Sequence, residues 1–285
     1  MRFRQLRKYF LLGIGLGLLL FLALGLDQRM TVRHYRIETE KLDHPVRIVL
    51  VTDLHSCRYG DGQKELLDEI ENQHPDVILL GGDICDNLFP DQNTELFLAG
   101  IFDICPVFYV TGNHECWAEG SRFQKYIEIL NSYGVKRLSG NSEILVAGGE
   151  KIRICGVDDP DITFVRNWDT ERGFTDFQTQ MRQLMQEDPD DKYTVLLTHR
   201  PELLEVYAAV GFDLVLAGHA HGGQWRIPGI LNGLFAPEQG FFPKLAGGRY
   251  REKNTEMIVS RGLARESVSL PRFYNRPELV VIDLQ

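Results

Sequence analysis

Short apolar runs of strand length alternate along this chain with longer stretches whose apolar residues recur on one face. Arg47–Val51, Asp76–Leu80, Val107–Val110, Tyr193–Thr198 and Phe212–Ala217 read as buried strands. Helical spacing occupies Gln63–Gln73, Thr94–Phe102, Arg122–Tyr133, Thr175–Gln186 and Pro201–Val210. Leu66, Leu67 and Ile70 form one stripe, and Phe123, Tyr126, Ile127 and Leu130 another, so both helices are expected to turn those faces to a core. A second group of strands is predicted at Val135–Leu138, Ile144–Ala147, Ile152–Val157, Met257–Ser260 and Leu279–Leu284. The periodicity gives an α/β fold, and two sheets packed face to face with helices outside each would account for both groups.

Every run of the first group ends in a polar block. These are Asp53-Leu54-His55, Gly82-Asp83-Ile84-Cys85-Asp86, Gly112-Asn113-His114-Glu115, His199 and Gly218-His219-Ala220-His221. Ligands of open α/β sheets bind beyond the carboxyl ends of the strands, so these carboxylates, imidazoles and one amide should converge. Oxygen and imidazole donors without a thiolate suit a divalent ion such as manganese, iron, zinc, nickel or cobalt. Asp53, His55, Asp83, Asn113, His199, His219 and His221 are too many for one ion, and two ions sharing Asp83 is the economical arrangement. Taken alone, His199 would read as a hydrogen-bonded structural residue; in this company it reads as a ligand.

In this order the blocks resemble the signature of the calcineurin-like metallophosphoesterase superfamily: D-x-H, G-D-x-x-D, G-N-H-[DE], a lone His and G-H-x-H. Gly222-Gly223-Gln224, Ser260-Arg261-Gly262-Leu263 and Asn275-Arg276-Pro277-Glu278 look like its membrane-associated bacterial phosphodiesterase branch. The resemblance implies a four-layer α/β/β/α sandwich of two mixed sheets over residues 45–285. It also implies one metal on Asp53, His55, Asp83 and His221, a second on Asp83, Asn113, His199 and His219, and His114 as the catalytic histidine. Physical chemistry is compatible with that division. Two ions roughly 3.5–4 Å apart would make a bridging hydroxide that attacks phosphorus in line. The leaving alkoxide then needs a proton, which a histidine titrating near neutrality can give as general acid. Asp86 is expected either to hold the His114 ring in its tautomer or to cap its own loop. The family often has a small residue and glycine after D-x-H, whereas Ser56-Cys57-Arg58 intervene here before Tyr59-Gly60. Arg58 either binds a substrate phosphate through its guanidinium or is a solvated loop residue, and Arg200 has the same two readings.

Residues 9–26 carry no charge and follow Arg2, Arg4, Arg7 and Lys8. The run reaches the roughly 17–25 residues of a transmembrane helix, and the positive-inside rule leaves residues 1–8 in the cytoplasm. A single-pass protein of the cell membrane with an extracytoplasmic catalytic domain is expected. The competing reading is a signal sequence cleaved near Ala23-Leu24-Gly25, giving a secreted protein. Cys57, Cys85, Cys105, Cys116 and Cys155 suggest no disulfide framework, and the thiols beside the motifs, Cys57 and Cys85, read as packed. His34, His44 and His74 read as surface residues. Residues 224–250 are rich in glycine, proline and aromatic side chains, and are expected to form either a wall over the substrate or a packed satellite cluster.

A net charge of −9 without a basic stripe beyond the amino terminus argues against extended nucleic-acid binding. A small or lipid-linked phosphoester fits better, in keeping with a role in lipid metabolism. The expected function is a membrane-anchored, two-metal phosphodiesterase. Two alternatives stand beside it. One is pyrophosphate hydrolysis in a lipid-linked sugar nucleotide, as in UDP-2,3-diacylglucosamine hydrolases. The other is a non-catalytic, metal-stabilised scaffold, which predicts lost ligands or a replaced His114; the sequence has neither.

Overall fold

A computed structural model describes residues 2–119, 121–165, 175–186, 191–265 and 270–285. Helix α1 (Arg2–Gly25) is followed by β1 (Thr31–Ile37), β2 (Val46–Val51), α2 (Lys64–Asn72), β3 (Val77–Gly81), α3 (Gln92–Ile101) and β4 (Val107–Val110). Next come the short α4 (Asn113–Cys116), α5 (Arg122–Ser132), β5 (Lys136–Arg137), β6 (Asn141–Ala147) and β7 (Glu150–Gly156). The chain continues through α6 (Phe177–Gln186), β8 (Tyr193–Leu197), α7 (Leu204–Val210) and β9 (Leu214–Ala217). A small hairpin of β10 (Phe235–Ala236) and β11 (Gly240–Phe241) precedes β12 (Gly248–Glu252), β13 (Thr255–Val259) and β14 (Glu278–Leu284).

Two mixed sheets result, ordered β1-β14-β2-β3-β4-β5 and β12-β13-β9-β8-β7-β6. Between them Ile48, Leu50, Leu79 and Val110 of the first sheet meet Ile154, Val195, Leu197 and Leu216 of the second. The intervening residues face outward to helices. Val49, Val51, Ile78 and Leu80 pack on Leu66 and Ile70 of α2 and Phe97 of α3, while Leu196, Val215 and Met257 pack with Met181 of α6 and Tyr207 of α7. Helix, sheet, sheet and helix are the four layers. Strands buried on both faces read as continuous apolar runs, which is why β2, β3, β8 and β9 show no alternation.

Strand membership differs from the sequence grouping. β8 and β9 lie in the second sheet, whereas β14 sits in the first between β1 and β2, and Val135–Leu138 contributes only the two-residue β5 to the first. A run that is apolar on both faces marks a buried strand but carries no signal of its neighbour. β1 was not expected, and it precedes the boundary at residue 45. Its Thr-Val-Arg-His-Tyr-Arg-Ile sequence resembles a charged linker because it is a half-exposed edge strand, pairing parallel with β14.

α1 is long and apolar enough to cross a membrane, with a mean hydropathy of 2.0 over an 18-residue stretch within Phe3–Gly25. From Phe3 onward its side chains are exposed until its final turn, where the Phe21 ring lies 5.5 Å from Phe273 and 5.0 Å from Tyr274. The backbone N–H of Tyr274 donates to the Gly25 carbonyl at 2.7 Å. Gly25 is small for a packing reason, since a Cβ there would lie 2.2 Å from the Phe273 ring.

The two sheets approach closely at Gly156, where an added Cβ would lie 2.3 Å from Leu138 Cβ and 2.8 Å from Val110 Cγ1. Gly156→Val is expected to destabilise the fold by about 1–3 kcal/mol through overpacking. The measurement is the denaturant midpoint of the two proteins, and an unchanged midpoint would contradict this packing.

Candidate metal centre

Each polar block sits just beyond the carboxyl end of its strand: Asp53 and His55 after β2, Asp83 after β3, and Asn113 and His114 after β4. His199 follows β8, and His219 and His221 follow β9. Three of these strands belong to the first sheet and two to the second, so the centre spans the ends of both sheets rather than one edge. Tight reversals bring the side chains inward. Asp53, His55, Asp83, His219 and His221 have φ of 51°, 48°, 53°, 66° and 45°, a left-handed conformation that costs non-glycine residues about 1–3 kcal/mol each. The first two loops hold one another there, with Asp53 N donating to Gly82 O at 3.0 Å, His55 N to Asp83 O at 2.9 Å and Ser56 N to Ile84 O at 3.1 Å.

The donor atoms form two groups. Asp53, His55 and His221 offer atoms within 4.8 Å of one another, and so do Asp83, His199 and His219. Asp83 Oδ2 lies 3.5 Å from His55 Nε2 and 3.2 Å from His199 Nε2, so one carboxylate oxygen faces both groups. Asn113 Oδ1 is 3.2 Å from His199 Nε2. Asp53 Oδ2, His55 Nε2 and Asp83 Oδ2 are buried and make no hydrogen bond. Stranded polar atoms of this kind cost about 1–3 kcal/mol each, and cations bound between the two groups would satisfy all three. The residues therefore fit a divalent metal site. The remaining nitrogens of the imidazoles are fixed from behind: His55 Nδ1 by Asp86 Oδ2 at 2.9 Å, His199 Nδ1 by Gly81 O at 2.8 Å, and His219 Nε2 by Glu238 Oε2 at 2.5 Å.

Charge is distributed unevenly across the centre. Burial alone would raise the Asp83 carboxyl, but His199 and His55 hold it well below its ordinary value. Burial alone would lower His199, yet the Asp83 carboxylate, with Asp53 behind it, raises it to about 10. Burial takes His221 down to about 3, so its ring is neutral and ready to ligate.

Several supporting residues carried no role in the sequence reading. Glu115 is fully buried and accepts four backbone N–H bonds, from Asp83 at 2.9 Å, Ile84 at 2.7 Å, Cys85 at 2.9 Å and Gly112 at 2.8 Å. Burial and the neighbouring Asp83 nevertheless raise it to about 7. Its place as the last residue of G-N-H-[DE] was the available signal. His114 Nδ1 lies 2.8 Å from Asn87 Oδ1 and 3.3 Å from Asp86 Oδ2. Asp86, assigned to His114 from the sequence, is thus nearer to His55, and the adjacent Asn87 is the closer partner of His114. Arg272 is fully buried, its Nε donating to Ala264 O at 2.7 Å with the guanidinium 3.5 Å from His221 O.

Both candidate arginines engage partners within the chain. Arg200 is buried and enclosed by carboxylates: Nε and Nη2 contact Asp159 at 2.5 and 2.9 Å, Nη2 contacts Asp161 at 3.1 Å, and Nη1 contacts Glu238 at 2.9 Å. Its positive charge is thus already matched by carboxylates of the chain. Arg58 is exposed and turns onto its own loop, with Nε donating to Gly60 O at 3.1 Å and Nη2 paired with Asp61. The aromatic segment does reach the centre through Glu238, between β10 and β11. Cys57 and Cys85 are buried thiols, and among the described residues there is no disulfide.

A family profile described as calcineurin-like phosphoesterase matches residues 46–223. A metallophosphoesterase of Helicobacter pylori J99 is 29% identical over 230 residues, covering 78% of this chain and 58% of that protein, so this chain spans little more than half the length of that relative. The phosphodiesterase YaeI of Escherichia coli K12 is 26% identical over 250 residues, covering 84% and 82%. Among solved structures, NAD nucleotidase of Haemophilus influenzae has a TM-score of 0.50 at 16% identity, covering 78% of this chain and 46% of that one, a likeness of fold alone.

Two expectations follow from this geometry. Glu115→Ala should cost at least about 3 kcal/mol in stability, since four buried N–H groups lose their acceptor at about 1–3 kcal/mol each, and should lower metal content. Denaturant unfolding and elemental analysis test this, and wild-type values in both would rule out the bracing role. In the stripped protein His199 holds a proton at neutral pH because it titrates at about 10, so metal uptake must displace that proton. Apparent metal affinity should therefore rise with pH through this range. Calorimetry in buffers of different ionisation enthalpy should show proton release, and uptake without it would refute the assignment.

Proposed function

The chain belongs to the calcineurin-like phosphoesterase family, and on that premise we propose that it is a dinuclear phosphodiesterase anchored in a membrane. Asp53, His55, Asp83 and His221 would hold one divalent ion, and Asp83, Asn113, His199 and His219 the other. The observation that carries this reading is Asp83 Oδ2, buried without a hydrogen bond and facing both donor groups. When bound, the ions supply positive charge for the phosphoryl oxygens and a nucleophilic water near neutral pH. The donor set admits manganese, iron, zinc, nickel or cobalt.

His114 is the general acid. Its Nδ1 is engaged by Asn87 and Asp86, which leaves Nε2 for the oxygen of the leaving group. Burial opposes protonation of this ring, but Asp86 and Asp83 outweigh it and raise its pKa, favouring the form that donates. Asp86 serves both histidines, aligning His55 as a ligand and His114 as an acid. Glu238, reaching His219 from the hairpin, supports reading residues 224–250 as a wall of the site, where the exposed Phe241 and Phe242 would face an apolar part of a lipid-linked substrate.

The membrane reading rests on α1 and its docked end. A Gly25 held against Phe273 explains the small residue without cleavage, which favours an anchor over a signal sequence. The basic residues before the apolar run support an orientation with the catalytic domain outside the cytoplasm.

The full chain, loaded with metal and assayed on bis(p-nitrophenyl) phosphate, is expected to hold two ions and hydrolyse the diester. His114→Ala should lower kcat by about 10²–10⁴-fold with metal content unchanged. Full turnover in that variant would remove His114 from the reaction, and one ion per active chain would overturn the dinuclear reading.

A further inference from the structure

Beside the turn that carries Arg261 lies a cavity of about 460 Å³, outside the metal centre. That volume is within the roughly 300–1,000 Å³ of ordinary ligand sites. Arg33 of β1, Arg226 and Arg261 line it with Tyr274, Ile230 and Leu231, and among the described residues no carboxylate does. Arg261 is paired with the buried Glu278, its Nε 2.5 Å from Oε2. Arg226 gives Nη2 to the neutral Asn232 Oδ1 at 2.5 Å, and its Nη1 has no hydrogen-bond partner. Arg33 is exposed and makes no side-chain hydrogen bond or ion pair among the described residues. Three guanidinium groups are thus set against one carboxylate in a chain of net charge −9, and their planar forks match the oxygens of a phosphate. Burial and the neighbouring Arg261 both disfavour charge on Arg226, a situation that a bound anion relieves.

The position of the cavity narrows the kind of anion. Tyr274, in its wall, donates its hydroxyl to Phe21 O at 3.0 Å and its backbone N–H to Gly25 O at 2.7 Å, both in the last turn of α1. Arg226 N donates to Phe273 O at 2.9 Å, and Phe273 packs on Phe21 at 5.5 Å and on Trp225 at 5.7 Å. The cavity therefore adjoins the place where an anchoring α1 leaves the bilayer. Ile230, on its rim, is 83% exposed beside the arginines, the pairing of apolar and cationic groups that suits a headgroup boundary.

We propose that this cavity binds the phosphate of an anionic phospholipid headgroup from the bilayer in which α1 is anchored. Arg33 and Arg226 contact the phosphate oxygens, Tyr274 forms the wall on the anchor side, and Ile230 meets the glycerol and upper acyl region. A bound headgroup fixes the tilt of the domain on the membrane. The backbone of the same turn is joined to the metal centre, since Leu263 N donates to Thr52 O at 3.1 Å, one residue before Asp53. The inference rests on reading α1 as a membrane anchor.

Native mass spectrometry of the full chain in a neutral maltoside detergent tests it, with phosphatidylglycerol, phosphatidylcholine and inorganic phosphate as probes. Phosphatidylglycerol is expected to bind about tenfold more tightly than phosphatidylcholine, and Arg33→Gln and Arg226→Gln should each remove most of that preference. Arg33→Gln loses no partner in the fold, so its melting temperature should match the wild type and its lipid result stands even if Arg226→Gln folds poorly. Equal binding of the two lipids, or a preference intact in Arg33→Gln, would overturn the proposal. Inorganic phosphate that displaces phosphatidylglycerol completely at equal concentration would also overturn it, by making the site one for a soluble anion. The intact mass of the chain recovered from membranes reports the anchor separately: loss of residues 1–25 sinks the anchor reading, whereas the headgroup preference is read from the lipid adducts.

Discussion

The buried carboxylate of Glu115 is the constraint on which the metal centre depends. It gathers N–H groups from the loop after β3 and from Gly112 at the end of β4, joining two adjacent strands beyond the point where their ladder ends. Asp83 receives its position from this brace: its N–H is bound to Glu115 and its Oδ1 accepts the His114 N–H at 2.8 Å, which leaves Oδ2 turned toward both histidine groups. Burial, and a second acid placed this close to Asp83, both disfavour the charged form, and together they raise Glu115 to about 7. Four N–H donors offset it. The brace thus acts at a distance from any substrate, by deciding which oxygen of Asp83 is free.

Strain in the loops has the same logic. Five of the seven candidate ligands occupy left-handed backbone, a conformation their side chains disfavour. Ordinary loops would relax. Here each loop is bonded to its neighbour, and the two sheets hold the strand ends together through the apolar layer between them. Because the donors come from both sheets, the packing of that layer also sets the separation between Asp53 and Asp83 on one side and His199 and His219 on the other. Core packing and metal geometry are in this sense a single problem.

The candidate ligands were legible in the sequence because chemistry fixes residue type and spacing: D-x-H and G-H-x-H have few structural reasons to follow a buried strand. The layered α/β architecture was legible for a related reason, since fully apolar runs alternate with one-sided helices. Sheet membership was not, because β8 and β14 are apolar on both faces and neither face names a neighbour. β1 was hidden by its charges, which an edge strand tolerates. The ion pairs of Arg200 were hidden because its partners Asp159, Asp161 and Glu238 lie far from it along the chain. Asn87 and Glu238 were missed because each depends on one loop conformation that no periodicity encodes.

The segment around Phe273–Asn275 connects parts that the sequence presents as unrelated. Phe273 and Tyr274 hold the last turn of α1, while Asn275 Nδ2 donates to His221 O at 2.7 Å and to Gln224 O at 3.2 Å. The backbone of Phe273 is also bonded to Gln224 and Arg226, at the start of the aromatic segment. Three consecutive residues therefore tie the apolar helix, the second histidine of G-H-x-H and the start of the aromatic segment. An anchor attached only by a flexible linker would leave the metal centre free to tumble above the bilayer. With α1 proposed as the anchor, this attachment would give the candidate centre a defined height and facing above the bilayer, the arrangement that the proposed lipid-linked substrate requires.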